Sequence, residues 1–182
     1  MERTKPGRAR ITEALLSLLG EMSLDDINVV DLCGRANVSR STFYAHFSNV
    51  ADVYCELVRE LVLTTSAIQP QLRCVECAGQ GKQPLCELLR PDGKYHNLTS
   101  EERFTRTYID IGMAELNDET TNVYHDVCTD KDLAYALFCF QMMGCIGAAK
   151  TVPESTDWNQ VRPVLDAFIR GGLHSVRSLN LS

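Results

Sequence analysis

Ile27-Asn-Val-Val-Asp-Leu-Cys-Gly-Arg-Ala-Asn-Val-Ser-Arg-Ser-Thr-Phe-Tyr-Ala-His-Phe47 decides the reading of this chain. It divides into two short helical stretches joined at Asn37-Val38-Ser39. Asn28 is placed to cap the first, with Asp31 three positions later to complement the free N–H groups. Leu32, Cys33, Ala36 and one of Val29 or Val30 supply its apolar face. Asn37 ends it, because Asn tolerates the left-handed backbone that closes helices. Val38 is the buried residue of the turn, and Ala36 is small enough to let the two helices approach. Ser39 caps the second stretch. Phe43 and Phe47 anchor that helix from beneath while Arg40, Ser41, Thr42, Tyr44 and His46 face outward. Short hydroxyls, one guanidinium and one phenol suit a helix that enters a major groove. The Ser-capped end also directs backbone N–H groups toward a phosphate. A corner used only for packing does not call for that whole set on its exposed face.

Working outward, the chain reads as helix after helix, without a run of period-two alternation. A first helix is predicted from about Arg8 to Glu21, with Ile11, Leu15, Leu18 and Leu19 on one stripe. A fourth begins near Asn49–Asp52 and runs through Val53, Leu57 and Leu61. Between Gln69 and Asn97 the pattern is broken by Pro and Gly, leaving a short helix at about Leu85–Arg90. Thr99 with Glu102 has the spacing of a capping box, opening a helix with Phe104, Tyr108 and Ile111 on one face. A short helix follows at Glu119–Asp126. Thr129 with Asp132 opens a long apolar helix through Leu133, Leu137, Phe140, Gly144 and Ala148. The last runs from Trp158 to Leu173 with Val161, Leu165, Phe168 and Gly172 in register, and Pro163 there implies a late start or a kink.

The net charge of −6 is unevenly spread. Arg3, Lys5, Arg8, Arg10, Arg35 and Arg40 balance the acids of the first fifty residues, so the remainder carries the whole excess. A basic arm on an acidic body suits a protein that meets phosphates through one end. The arm is either a solvated tail or an ordered contact. No apolar stretch reads as the roughly 18 residues of a membrane span, and the basic N-terminus leads into an amphipathic segment, so the expected location is cytoplasmic. Eight cysteines are then expected as mostly reduced thiols. Cys74, Cys77 and Cys86, with His96, offer a zinc set, a redox pair or ordinary loop thiols.

Val38-Ser39-Arg40-Ser41-Thr42-Phe43-Tyr44-Ala45-His46-Phe47 resembles the recognition-helix signature of the TetR family of regulators, and the likeness extends from about Arg8 to Leu61. The resemblance implies that Thr42, Tyr44 and His46 touch phosphates or base edges and that Arg40 and Ser41 choose sequence. Ser39, Arg3, Lys5 and Arg8 complete the expected DNA-binding set. Asn37 stands where the family usually has Gly. Val50 stands where it often has a phosphate-gripping Lys, a loss the basic arm compensates by following the backbone or entering a minor groove.

The expected fold is all-α, with a three-helix head (residues 1–48) and a helical ligand-binding and dimerisation body (49–182). The expected function is transcriptional regulation, as a repressor of a pseudo-palindromic operator in double-stranded DNA, released by an unidentified small-molecule effector. The other reading is a TetR-like co-activator working by protein contact. Phe104, Tyr108, Tyr135, Phe138 and Met142 line either an effector cavity or a packed core. As in the family, the last two helices are expected to form a homodimer, through Phe140, Gly144, Ala148, Leu165, Phe168 and Gly172. No zinc-protease pairing, phosphate loop or nucleophile elbow occurs in the sequence, so neither enzymatic activity nor a cofactor is expected.

Overall fold

The computed structural model describes residues 6–65, 84–115, 124, 130–153 and 155–179. Among these residues the protein is all-α, without a strand. Helix α1 spans Gly7–Leu18, α2 Val29–Ala36, α3 Arg40–Tyr44 and α4 Val50–Thr64; α5 spans Leu85–Leu89, α6 Phe104–Glu115, α7 Lys131–Thr151 and α8 Trp158–Arg177. Single 3-10 turns lie at Leu24–Asp26 and His96–Ser100.

Helix α1 buries Ile11, Ala14, Leu15 and Leu18, a stripe of three- and four-residue spacing. It ends before Glu21, where the chain tightens and Gly20 and Glu21 donate three residues back to Ser17 and Leu18. Helix α4 is capped by Asn49, which accepts from the Asp52 amide at 2.9 Å. It packs on both α1 and α6, burying Val53, Leu57, Val58 and Leu61. Helix α7 packs on α5 and α6. One continuous cluster of buried side chains joins Ile11 in α1 to Trp158 in α8.

Three sequence expectations change. Thr99 does not cap a helix: it is buried inside the 3-10 turn, and α6 starts only at Phe104. The turn presents Asn97 to the Leu16 carbonyl at 2.9 Å, and just beyond it Glu101 meets the Leu24 amide at 2.9 Å. Those tertiary bonds outweigh a local cap. Helix α7 is capped by Asp130, which accepts from the Asp132 and Leu133 amides; Thr129 lies outside the described residues. Finally, α8 runs unbroken through Pro163 from Trp158, capped by Asp157. Of the helix expected at Glu119–Asp126, only Tyr124 is described, helical and buried.

Helix α7 also revises the membrane reading. An 18-residue window in it has a mean hydropathy of 1.4, so by length and composition it is apolar enough to cross a membrane. In the fold, Ala134, Phe138, Met142, Ile146 and Ala149 turn one stripe of it into the core.

Candidate nucleic-acid interface

The two helices at the centre of the sequence reading form as their caps dictate. Asn28 accepts from the amides of Val30 and Asp31, and Asp31 accepts from the Asn28 amide at 3.1 Å, a reciprocal capping box. At the other end Asn37 adopts φ 50°, ψ 52°. The amides of Val38 and Asn37 reach back to the carbonyls of Cys33 and Gly34, closing the α2 terminus in a Schellman arrangement. The Arg10 guanidinium donates to the Asn37 carbonyl at 3.2 Å. Arg35 grips Glu21 through both terminal nitrogens, at 2.8 and 2.7 Å, and Ser17 through one. The pair holds the Glu21 carboxyl below its ordinary range, first through its hydrogen bond. Helix α1 thus pins the turn and α2 from one side.

Helix α3 stands on Phe43, which is fully buried, and on Phe47 just beyond its end. Ser39 accepts from the Thr42 amide at 3.1 Å, and its hydroxyl lies 2.8 Å from that of Ser41 and 2.9 Å from that of Thr42. Arg40, Ser41, Tyr44 and His46 are exposed, Tyr44 at 59%, and Thr42 is half-buried. The Tyr44 ring meets Phe43 edge-on, which sets the direction of the phenol. The exposed face carries several donors and acceptors and one fixed positive charge.

Other expected contacts are placed differently. Arg3 and Lys5 lie outside the described residues. Arg8 pairs with Glu56 at 2.5 Å and lies over the Phe47 ring, so it ties α1 to α4 and to the end of α3 while remaining half-exposed. Gly7 was not picked out by the sequence reading. A Cβ there would lie 3.2 Å from the Thr42 methyl and 3.3 Å from His46 Nε2, so α1 begins against α3 and the turn that follows it. The signal was a Pro-Gly step at the start of α1, which alone does not reveal its neighbour. Val50 is the first residue of α4 and is partly buried against the core.

In the body, Phe104, Tyr108, Phe138 and Met142 are fully buried. The Tyr108 hydroxyl lies 2.9 Å from Thr65 Oγ1, and burial pushes the phenol well above its ordinary range. Tyr135 does not join them. It is 44% exposed and interacts with Cys139 on the outer side of α7, since its position faces away from the Phe138 stripe. Phe140, Gly144, Leu165, Phe168 and Gly172 line one apolar groove of about 320 Å³ between α7 and α8. Ala148 lies half-buried on the same helix. Cys74 and Cys77 lie outside the described residues; Cys86 is buried, and no metal-holding cluster occurs among the described residues.

No family model and no curated protein matches the chain. Among solved structures it is similar to the crystal structure of AlkX, a TetR family repressor from Dietzia sp. strain DQ12-45-1b implicated in biodegradation of n-alkanes. The TM-score is 0.49 at 18% sequence identity, covering 97% of this chain and 100% of that one.

Proposed function

We propose that the chain is a DNA-binding transcriptional regulator of the TetR type, acting as a homodimeric repressor in the cytoplasm. The observation that carries this is the outward set of Arg40, Ser41 and Tyr44 on a helix capped by Ser39 and anchored by Phe43, with His46 exposed in the turn that follows and Phe47 buried beyond it. Residues 1–48 read the operator and residues 49–182 dimerise and sense. Arg40 and Ser41 choose bases, while Ser39, Thr42, Tyr44 and His46 reach phosphates or base edges. The arm residues Arg3, Lys5 and Arg8 add backbone contacts in place of the Lys absent at Val50.

The groove between α7 and α8 supports dimerisation about a two-fold axis. Phe140 and Phe168 are 70% and 68% exposed in the protomer, and burying each is worth roughly 1.5–3 kcal/mol. The effector enters among Phe104, Tyr108, Phe138 and Met142, where the unbranched Met repacks most readily. It acts by binding the operator-incompetent spacing of the two heads more tightly; equal affinity for both spacings shifts nothing. The ties from Asn97, Glu101 and Arg103 to the chain around α1 carry that change to the head.

The test is selection of bound duplexes from a random DNA library. The expected product is a pseudo-palindrome with half-sites about 34–36 Å apart, or a multiple of that, with affinity falling steeply as salt rises. A folded dimer that enriches no sequence overturns the reading and favours regulation by protein contact.

A further inference from the structure

The first turn of α1 touches the chain on both sides of α3. Before α3, the Arg10 guanidinium donates to the Asn37 carbonyl at 3.2 Å. Beyond it, the Arg8 guanidinium lies over the Phe47 ring, 5.7 Å from the centroid, and pairs with Glu56 at 2.5 Å. Gly7 opens the same turn. A Cβ at Gly7 would come within 3.2 Å of the Thr42 methyl and 3.3 Å of His46 Nε2, closer than the roughly 3.5–4.0 Å at which such atoms pack best. Gly34, inside α2, is the opposite case: a Cβ there would meet nothing within 4 Å.

Thr42 has little room to yield. It is half-buried, and its hydroxyl lies 2.9 Å from that of Ser39, so turning its methyl aside would break that bond. The ties of Arg8 and Arg10 keep α1 from backing away. We propose that Gly7 is a positioning residue for the DNA-binding surface. The side chain it lacks leaves the space in which the Thr42 methyl and the His46 imidazole settle, and so fixes where the Thr42 hydroxyl and the imidazole stand. Gly7 itself touches no DNA in this account; it acts through its two neighbours. The inference rests on the DNA-binding reading, in which Thr42 and His46 reach phosphates or base edges.

The experiment compares Gly7→Ala with Gly34→Ala in the full-length chain, using a duplex selected from the random library at one stated salt concentration. Gly34→Ala is expected to bind as the parent does. Gly7→Ala is expected to bind roughly tenfold more weakly while keeping its Tm, because the better helix propensity of alanine offsets the crowding. Adding Thr42→Ser removes the crowded methyl but keeps the hydroxyl, and is expected to recover most of that loss. A general weakening of α1 would not be rescued in this way. In the free protein, the Thr42 methyl and His46 imidazole NMR resonances should shift in Gly7→Ala and stay in place in Gly34→Ala. Parent affinity in Gly7→Ala, a loss that Thr42→Ser does not recover, or resonances that do not move overturns the proposal. The resonances are read without DNA, so they judge the contact on its own. A parent chain that retains no duplex overturns the DNA-binding reading instead, whatever the resonances do.

Discussion

Asn97, in the 3-10 turn before α6, donates its side-chain amide to the Leu16 carbonyl of α1 at 2.9 Å, across 81 residues of sequence. Gly20 permits the contact, because a Cβ there would stand 2.7 Å from the same amide nitrogen. Two further ties run alongside: Glu101 to the Leu24 amide at 2.9 Å and Arg103 to Asp25 at 2.6 Å. The chain around α1 is thereby fastened to the body by groups far apart in sequence.

Gly20→Ala should cost the Asn97 bond, about 0.5–1.5 kcal/mol, and Asn97→Ala should cost a similar amount. Because both remove the same interaction, the double variant is expected to lose clearly less than the sum. Urea unfolding of the four proteins measures this. Strict additivity would falsify direct contact between the two residues.

Tyr44→Ala and Arg40→Ala are expected to weaken operator binding while leaving helicity and dimerisation unchanged, since both side chains are exposed. Loss of a base contact should cost about 1–3 kcal/mol at one operator position; loss of a phosphate contact should weaken all sequences alike. Binding isotherms at several stated salt concentrations separate the two. Affinity unchanged in both variants counts against the recognition surface.

Asn37 is the one non-glycine residue with positive φ among those described. Asn37→Gly should be nearly neutral or slightly stabilising. Asn37→Val should lose about 1–2 kcal/mol, the cost of left-handed backbone for a side chain that cannot relieve it. Equal stability of the two, read from chemical denaturation, would show that the turn has relaxed out of this conformation.

Charged substitutions at Phe140 and Phe168 probe assembly. Both rings are more than two-thirds exposed in the protomer, so Phe140→Glu and Phe168→Glu should leave a folded chain of unchanged helicity that sediments as a monomer. A double variant that still sediments as a compact dimer would place the interface elsewhere.

Glu60 supplies a pH test. Removal from water pushes its carboxyl above the ordinary value, opposed by the Lys94 charge and by the hydrogen bond from Thr12, and reinforced by Glu56. The folded chain therefore keeps this proton to a higher pH than the unfolded chain. The contribution to stability is full at low pH and lost as pH rises through the raised value. Glu60→Gln, which keeps an acceptor for Thr12, should raise Tm at pH 7 and make little difference near pH 4. A variant less stable than the parent at pH 7 reverses the sign and refutes the account.

The sequence by itself determined the elements whose causes are local. Asn28 with Asp31, Asn37, Ser39 and Asn49 set the ends of α2, α3 and the start of α4, because caps act within three or four residues and are written in the residues they satisfy. The alternation of Phe43 and Phe47 with Arg40, Tyr44 and His46 likewise settled which face of α3 is buried. Where a helix is apolar on every side, the pattern loses that power. In α7 the stripe Leu133, Leu137, Phe140, Gly144 is as hydrophobic as Ala134, Phe138, Met142, Ile146, and only packing against α5 and α6 decided which one enters the core. The same choice turned Tyr135 outward. Tertiary structure alone decided the partners of Arg8 and Arg10 within the chain, Glu56 and the Asn37 carbonyl, with the Arg8 side chain left half-exposed. It also decided the ties from Asn97 and Glu101. A side chain that bonds a backbone group some eighty residues away leaves no periodicity or spacing to read, because its partner is chosen by how the helices stack.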